Sequence, residues 1–178
     1  MIIAHVAVTT ADDYLARRAP YREAHLGRLL DLRARGLVVG GGPAPDGRSA
    51  DVVYRAPDEA AVRRLVDEDP YVTGGAWTGY TVTPFTEFLE PWRLPPLVTD
   101  GSRRVTIVEG VVTDPDMAPL ALVEARGAGR LLFGGLFAGS RALAVMAEPE
   151  PEGPLRWFAE TGFFAPDSLR SRPLLYVL

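Results

Sequence analysis

Few side chains in this sequence can carry out proton chemistry. His25, in the segment Tyr21-Arg22-Glu23-Ala24-His25-Leu26, is one of only two histidines, and His5 is the other. Cys and Lys are absent, which excludes thiolate nucleophiles, lysine Schiff bases and zinc sites built from Cys or several His. General acid–base catalysis by a histidine and a carboxylate is the chemistry that remains.

Arg22 precedes His25 by three residues in a segment with helical spacing, so the two side chains share one helix face. In that arrangement the guanidinium can bind an acidic group of a substrate beside the imidazole. The alternative is a surface arginine next to a half-buried histidine that has no part in binding.

The pattern of apolar residues predicts an α+β fold in the order β-α-β-β-α-β, the ferredoxin-like unit. Pro20 is expected in the first turn of the main helix, after a lead-in turn over residues 11 to 19. The predicted elements are a strand from Ile2 to Val8, a helix ending at Gly36, strands at 37–39 and 51–55, a helix from Pro57 to Asp69, and a strand from Gly79 to Phe88. The stretch from Gly40 to Ser49 is predicted as a loop, and both Gly40-Gly41-Gly42 and Gly134-Gly135 as tight bends.

The second half of the chain predicts the same order of elements, which indicates an internal duplication. Strands are expected at 105–112, 131–133, 142–147 and 174–178, with helices from Asp114 and over 154–160. A proline-rich segment separates the halves, so the predicted domains are residues 1–92, a linker at 93–103, and residues 104–178.

An offset of 93 residues superposes the two halves, placing Gly36 on Gly129 and Tyr71 on Phe164. The same offset places His25 on Ala118 and Asp69 on Gly162. Only the first half can therefore host chemistry by a histidine and a carboxylate.

The motifs of the first half resemble those of the YCII-related (YciI-like) family. These motifs are Arg22, His25-Leu26, Gly42-Pro43, Asp69-Pro70-Tyr71 and the closing strand at Val82-Thr83-Pro84-Phe85. The resemblance implies a dimeric α+β barrel, which a tandem duplication would build as a pseudo-dimer within one chain, and a His-Asp pair in a small-molecule pocket. One branch of the family removes chloride from a chlorinated hydroxyhydroquinone, and structural relatives include isomerases and cofactor-free monooxygenases.

On this basis His25 and Asp69 are the expected catalytic residues, and Arg22, Tyr71 and His5 the expected substrate-binding residues. Asp69 either orients His25 and fixes its tautomer, or only satisfies backbone N–H groups at a helix end. His5 is either a core histidine bonded to a neighbour or a second donor in the pocket. Two histidines and a carboxylate also suit a metal, but their spacing matches no ligand motif, and we expect neither metal nor cofactor.

The leading hypothesis is a cofactor-independent lyase or isomerase that eliminates from, isomerises or cyclises a small aromatic or polyketide-like molecule. The alternatives are a non-catalytic small-molecule-binding or accessory protein and a cofactor-free monooxygenase. The net charge of -4 argues against nucleic acid as a partner, and no apolar run reaches membrane-spanning length. We therefore expect a cytoplasmic protein that acts as a monomeric pseudo-dimer or a weak homodimer.

Overall fold

The computed structural model describes all residues from Met1 to Leu178. The chain divides into two compact units. Unit 1 comprises residues 1–84, 94–100 and 175–178, and unit 2 comprises residues 85–93 and 101–174. None of the helices combines the length and the apolar character needed to cross a bilayer.

Unit 1 has the predicted β-α-β-β-α-β order, with short extra helical turns before and after its main helices. Its elements are β1 (Ile2–Thr10), α1 (Tyr14–Arg18), a 3₁₀ turn (Ala19–Tyr21), α2 (Arg22–Ala34), β2 (Val38–Pro43), β3 (Ser49–Ala56), α3 (Glu59–Asp67), α4 (Pro70–Thr73) and β4 (Trp77–Leu89). The antiparallel strands lie in the order β2-β3-β1-β4. This order is that of a ferredoxin-like unit.

Buried apolar residues alternate along β1, and they show which face of this sheet the helices cover. Ala4, Val6 and Val8 are buried and pack in one cluster with apolar residues of α2 and α3, such as Leu29 and Val62. Side chains of opposite parity, His5 among them, therefore lie on the other face of the sheet. The sheet thus has a helix-covered apolar face and a second face that carries a histidine.

Two local predictions for unit 1 are wrong. Gly40-Gly41-Gly42 is not a bend but part of β2, where Gly41 pairs with Val52 and Gly42 with Asp51. An added methyl group at Gly42 would overlap the backbone carbonyl of Leu175, so a close approach of two chain segments requires this glycine. Helical structure already starts at Tyr14, in α1. Pro20 therefore lies in the 3₁₀ turn that joins α1 to α2, and not in the first turn of α2.

Unit 2 repeats the order of elements. It contains β5 (Arg104–Val111), α5 (Ala118–Gly127), β6 (Leu131–Phe137), β7 (Arg141–Met146), α6 (Glu152–Thr161) and β8 (Arg170–Leu175). These strands lie in the order β6-β7-β5-β8, and the end of β4 from Phe85 onwards pairs with β6. Gly134-Gly135 lies within β6 rather than in a bend, and β8 starts four residues before the predicted strand at 174.

Three of the six pairs of corresponding elements in the two units start 93 residues apart. This spacing relates β2 to β6, α3 to α6, and β4 to β8. Gly36 and Gly129, which follow α2 and α5, both have left-handed φ angles, of 72° and 73°. The offset found in the sequence is therefore also the offset between these three pairs of elements, whereas β1 and β5, α2 and α5, and β3 and β7 start 102, 96 and 92 residues apart.

Candidate active site

His25 and Asp69 form a buried hydrogen-bonded pair in unit 1. Nδ1 of His25 lies 2.7 Å from Oδ1 of Asp69, and the exposed fractions of the two residues are 6% and 0%. Because an ionised carboxylate only accepts hydrogen bonds, Nδ1 of His25 carries the proton and Nε2 carries the free lone pair. Nε2 makes no hydrogen bond within the protein and is not among its buried unpartnered atoms.

The sequence around Asp69 explains how its carboxylate is held. Asp69 is the N-cap residue of α4, and its Oδ1 accepts the backbone N–H of Tyr71 at 2.8 Å as well as the His25 proton. Pro70 has no backbone N–H and suits the first position of a helix. Both interpretations of Asp69 are thus present in the geometry, since one oxygen caps the helix and contacts the imidazole.

The second oxygen of Asp69, Oδ2, is buried without a hydrogen-bond partner. The hydroxyl of Tyr54, on β3, is also buried without a partner. Burial raises the pKa of the Tyr54 hydroxyl above its usual range, and the negative charge of Asp69 raises it further. The carboxylate is therefore shielded from bulk water, and its charge acts on a neutral phenol nearby.

Two aromatic rings contact the His25 imidazole, and a third packs behind one of them. Tyr71 stacks on it with ring centroids 3.7 Å apart and an interplanar angle of 10°, and Trp77 meets it edge-on at 5.3 Å. Tyr14 packs edge-on against Tyr71 at 6.0 Å. These contacts leave the imidazole little freedom to rotate, so its orientation is set by packing as well as by Asp69.

The Tyr71 hydroxyl lies in a mixed electrostatic environment. Burial raises the pKa of Tyr71 to about 12, and neighbouring Tyr14 adds to the shift, whereas the positive charges of Arg18 and Arg22 oppose it. Tyr71 is therefore a neutral hydrogen-bond donor at neutral pH. Its hydroxyl makes no hydrogen bond within the protein and is not a buried unpartnered atom.

Arg22 is exposed at the start of α2, one turn before His25, as its spacing predicts. One of its N–H groups donates to the backbone carbonyl of Thr99 at 3.2 Å, in a segment that belongs to unit 1. A guanidinium has five donors, so this contact positions Arg22 and leaves others for a ligand.

His5 forms a separate pair on the other face of the sheet. Its Nε2 lies 2.7 Å from Oδ1 of Asp51, and both residues are buried. His25 lies on the helix-covered face, so the structure does not bring the two histidines together. Asp51 was not identified from the sequence; the pairing of β1 with β3, which places it diagonally across from His5, was the signal that could have found it.

A cavity of about 850 Å³ lies next to Tyr14, the residue that packs edge-on against Tyr71. Its walls come from the end of β1, the first turn of α1 and the loop between β2 and β3, and they include Tyr14 but not His25. Tyr14 therefore lies between the cavity and the stacked pair of Tyr71 and His25. Sequence reasoning missed Tyr14 because its place depends on how α1 packs against α4.

Unit 2 lacks the acid–base pair. Ala118, at the position that the offset assigns to His25, is the fully buried first residue of α5. Gly162, at the position of Asp69, ends α6 with a left-handed φ of 73°. Phe164, in place of Tyr71, keeps the buried ring.

Unit 1 is an α+β unit of ferredoxin-like order, with its helices on one face of an antiparallel sheet. Residues 1–86 match the family model described as the YCII-related domain. No curated protein matches the chain.

Solved structures share the fold at low sequence identity. A monooxygenase-like protein of Lactobacillus acidophilus has a TM-score of 0.59 and 14% identity, covering 98% of this chain and 93% of its own. A second, of Fusobacterium nucleatum, has a TM-score of 0.58 and 8% identity over 99% and 92%. A dehydrochlorinase of Burkholderia phenoliruptrix, solved with 2,5-dihydroxybenzoquinone, is 21% identical over 51% of this chain and 93% of its own, with a TM-score of 0.40. The two TM-scores above 0.5 indicate a shared fold, and a shared fold at such low identity indicates no shared activity.

Proposed function

We propose that this protein is a cofactor-independent enzyme in which His25 exchanges a proton with a small organic substrate. The observation that supports this most directly is the 2.7 Å contact between His25 Nδ1 and a fully buried Asp69, with Nε2 left unbonded. A histidine oriented by a carboxylate through one nitrogen and open at the other is the usual arrangement for general acid–base catalysis.

In the proposed reaction, Nε2 of His25 removes a proton from a C–H or O–H group of the substrate. The electron pair released then forms a new double bond or a new ring bond, and the charge passes to a leaving group or to an oxygen. Asp69 stabilises the imidazolium that forms, and the proton returns from Nε2 to the leaving group or to another substrate atom. Elimination, isomerisation and cyclisation all balance in this way.

The surroundings of His25 support a flat, aromatic or polyketide-like substrate. Tyr71 and Trp77 offer ring faces and edges beside the imidazole, and Arg22 supplies a positive charge for an acidic group. The YCII-related domain over residues 1–86 agrees with small-molecule chemistry.

A binding or accessory protein without catalysis is the second candidate. It is favoured by one observation, namely that His25 is 6% exposed and does not line the 850 Å³ cavity. Both candidates expect ligand binding, but only the enzyme changes the ligand.

The test is to incubate the protein with hydroxylated quinones, chlorinated hydroquinones and aromatic polyketides and to follow conversion by mass spectrometry. We expect conversion by the natural protein and by His5→Ala, and none by His25→Ala with an unchanged circular dichroism spectrum. Full activity of His25→Ala would contradict the mechanism. Binding without conversion would identify a binding protein, and conversion that stops without oxygen would identify a monooxygenase.

We also propose that residues 104–178 are a second, degenerate copy of residues 1–92, joined by the linker at 93–103. The shared strand order and the 93-residue spacing of three pairs of corresponding elements support this. The intramolecular barrel that the family resemblance implies remains part of this proposal.

A further inference from the structure

Two tyrosines of the aromatic cluster that includes His25 have hydroxyls without a hydrogen-bond partner in the protein. Tyr14 and Tyr71 are 5% and 3% exposed, yet neither hydroxyl makes a hydrogen bond within the chain or is among the buried unpartnered atoms. Their rings meet edge-on at 6.0 Å, and the Tyr71 ring stacks on His25. Buried phenols normally direct their hydroxyl to a partner, so these two donors are available to a ligand.

Two arginines, Arg18 and Arg22, lie near the same two tyrosines. The guanidinium carbon of Arg18 lies 5.0 Å from the centre of the Tyr14 ring. The positive charges of Arg18 and Arg22 both act to lower the pKa of the Tyr71 hydroxyl. Arg18 has no carboxylate partner, whereas its neighbour Arg17 is bonded to Asp13 at 2.8 Å. The charge of Arg18 is therefore not neutralised by an ion pair.

We propose that the hydroxyls of Tyr14 and Tyr71, backed by Arg18 and Arg22, form an oxyanion-binding site for a phenolate or enolate substrate beside Nε2 of His25. The inference rests on the proposed function for the proton transfer, but binding of the anion does not require that step. It identifies the substrate class as compounds with an acidic phenol or enol.

Neutral phenols suit such a site because they donate a hydrogen bond without becoming charged. Removal of a proton by His25 leaves negative charge on the substrate, and donors already in place for that charge lower the barrier to the reaction. Arg18 and Arg22 favour the anion without having to touch it, since opposite charges attract each other at short range.

The site can be tested by binding without any turnover. The probe is 4-nitrophenol, whose ionised form absorbs visible light, and 4-nitroanisole is the matched compound that cannot ionise. We expect the protein to bind the phenolate, to lower the apparent pKa of the probe and to bind 4-nitroanisole more weakly. Tyr14→Phe, Tyr71→Phe and Arg18→Ala should each weaken phenolate binding about tenfold or more, as expected for a lost interaction with a charged group.

Two variants serve as matched controls. Arg17→Ala removes the neighbouring arginine, which is paired with Asp13, and Tyr80→Phe removes a hydroxyl that is bonded to Asp67 at 2.6 Å. Both should bind the phenolate like the natural protein. Equal binding by all variants, equal binding of the two compounds, or no binding at all would overturn the proposed site.

The outcome also separates this site from the acid–base mechanism. Phenolate binding by both the natural protein and His25→Asn, with no compound converted by the natural protein, would support the oxyanion site and argue against catalysis. Conversion that depends on His25 but not on Tyr14, Tyr71 or Arg18 would overturn the oxyanion site alone.

Discussion

Asp69 performs two tasks with one oxygen atom, and different substitutions should separate them. Its Oδ1 accepts both the His25 proton and the backbone N–H of Tyr71. Asparagine retains a good N-cap but loses the negative charge, whereas alanine loses both.

We therefore predict that Asp69→Asn sharply reduces kcat and changes its pH profile while affecting stability little. Asp69→Ala should also lower the free energy of unfolding by about 1 to 3 kcal/mol, because His25 and the helix end lose a partner. Steady-state kinetics and urea unfolding measure the two effects. Equal activity of Asp69→Asn and the natural protein would show that the charge has no role.

Tyr71 should make unfolding sensitive to alkaline pH. Its pKa is raised to about 12 in the folded protein, from about 10 in an unfolded chain. A raised pKa of this kind contributes stability that is complete below the unfolded value and is lost as the pH rises through the folded value. We predict that Tyr71→Phe weakens the fall in stability between about pH 10 and pH 12. Urea unfolding across this range tests it, with Tyr21→Phe, at the surface, as the control.

Among the secondary-structure elements, β2 depends on Gly42, a residue that the sequence alone predicts to lie in a bend. A methyl group at Gly42 would overlap the Leu175 carbonyl, whereas one at Gly79, in β4, would have nothing within 4 Å. The C-terminal residues bind here through the N–H of Val177, which donates to the carbonyl of Gly41 at 3.0 Å.

We expect Gly42→Ala to lower the free energy of unfolding by about 1 to 3 kcal/mol, as overpacked positions do. Gly79→Ala should have little effect, since it adds a methyl group to open space in a strand. Thermal or urea unfolding of both variants gives the comparison. Equal stability of the two would mean that the C-terminal residues do not pass over Gly42 in solution.

Elements with a clear apolar period were predictable, and those defined by distant contacts were not. The alternation of Ala4, Val6 and Val8 identifies β1 and its buried face, because a half-buried strand repeats every two residues. Glycine-rich β2 has no such signal, and its pairing with β3 comes from residues far along the chain.

For the whole molecule, the proposed duplication predicts the oligomeric state of the protein in solution. If residues 104–178 replace the partner subunit of a dimeric relative, one chain of 19.3 kDa needs no second copy. We expect light scattering to give this mass over a wide range of concentration. An obligate dimer of the chain would contradict the proposed tandem arrangement.

The sequence by itself determined the chemistry that this chain can attempt, because residue types are independent of folding. It showed one histidine with an arginine a helical turn away, an aspartate before a proline at a predicted helix end, and a second half without either acid–base residue. Which residues contact these side chains was decided by the tertiary structure alone. It joined Asp69 to His25 across 44 residues and Asp51 to His5 across 46, and it set Tyr14 against Tyr71. Contacts between distant residues arise from strand register and from the packing of helices on a sheet, which no local pattern of residues specifies.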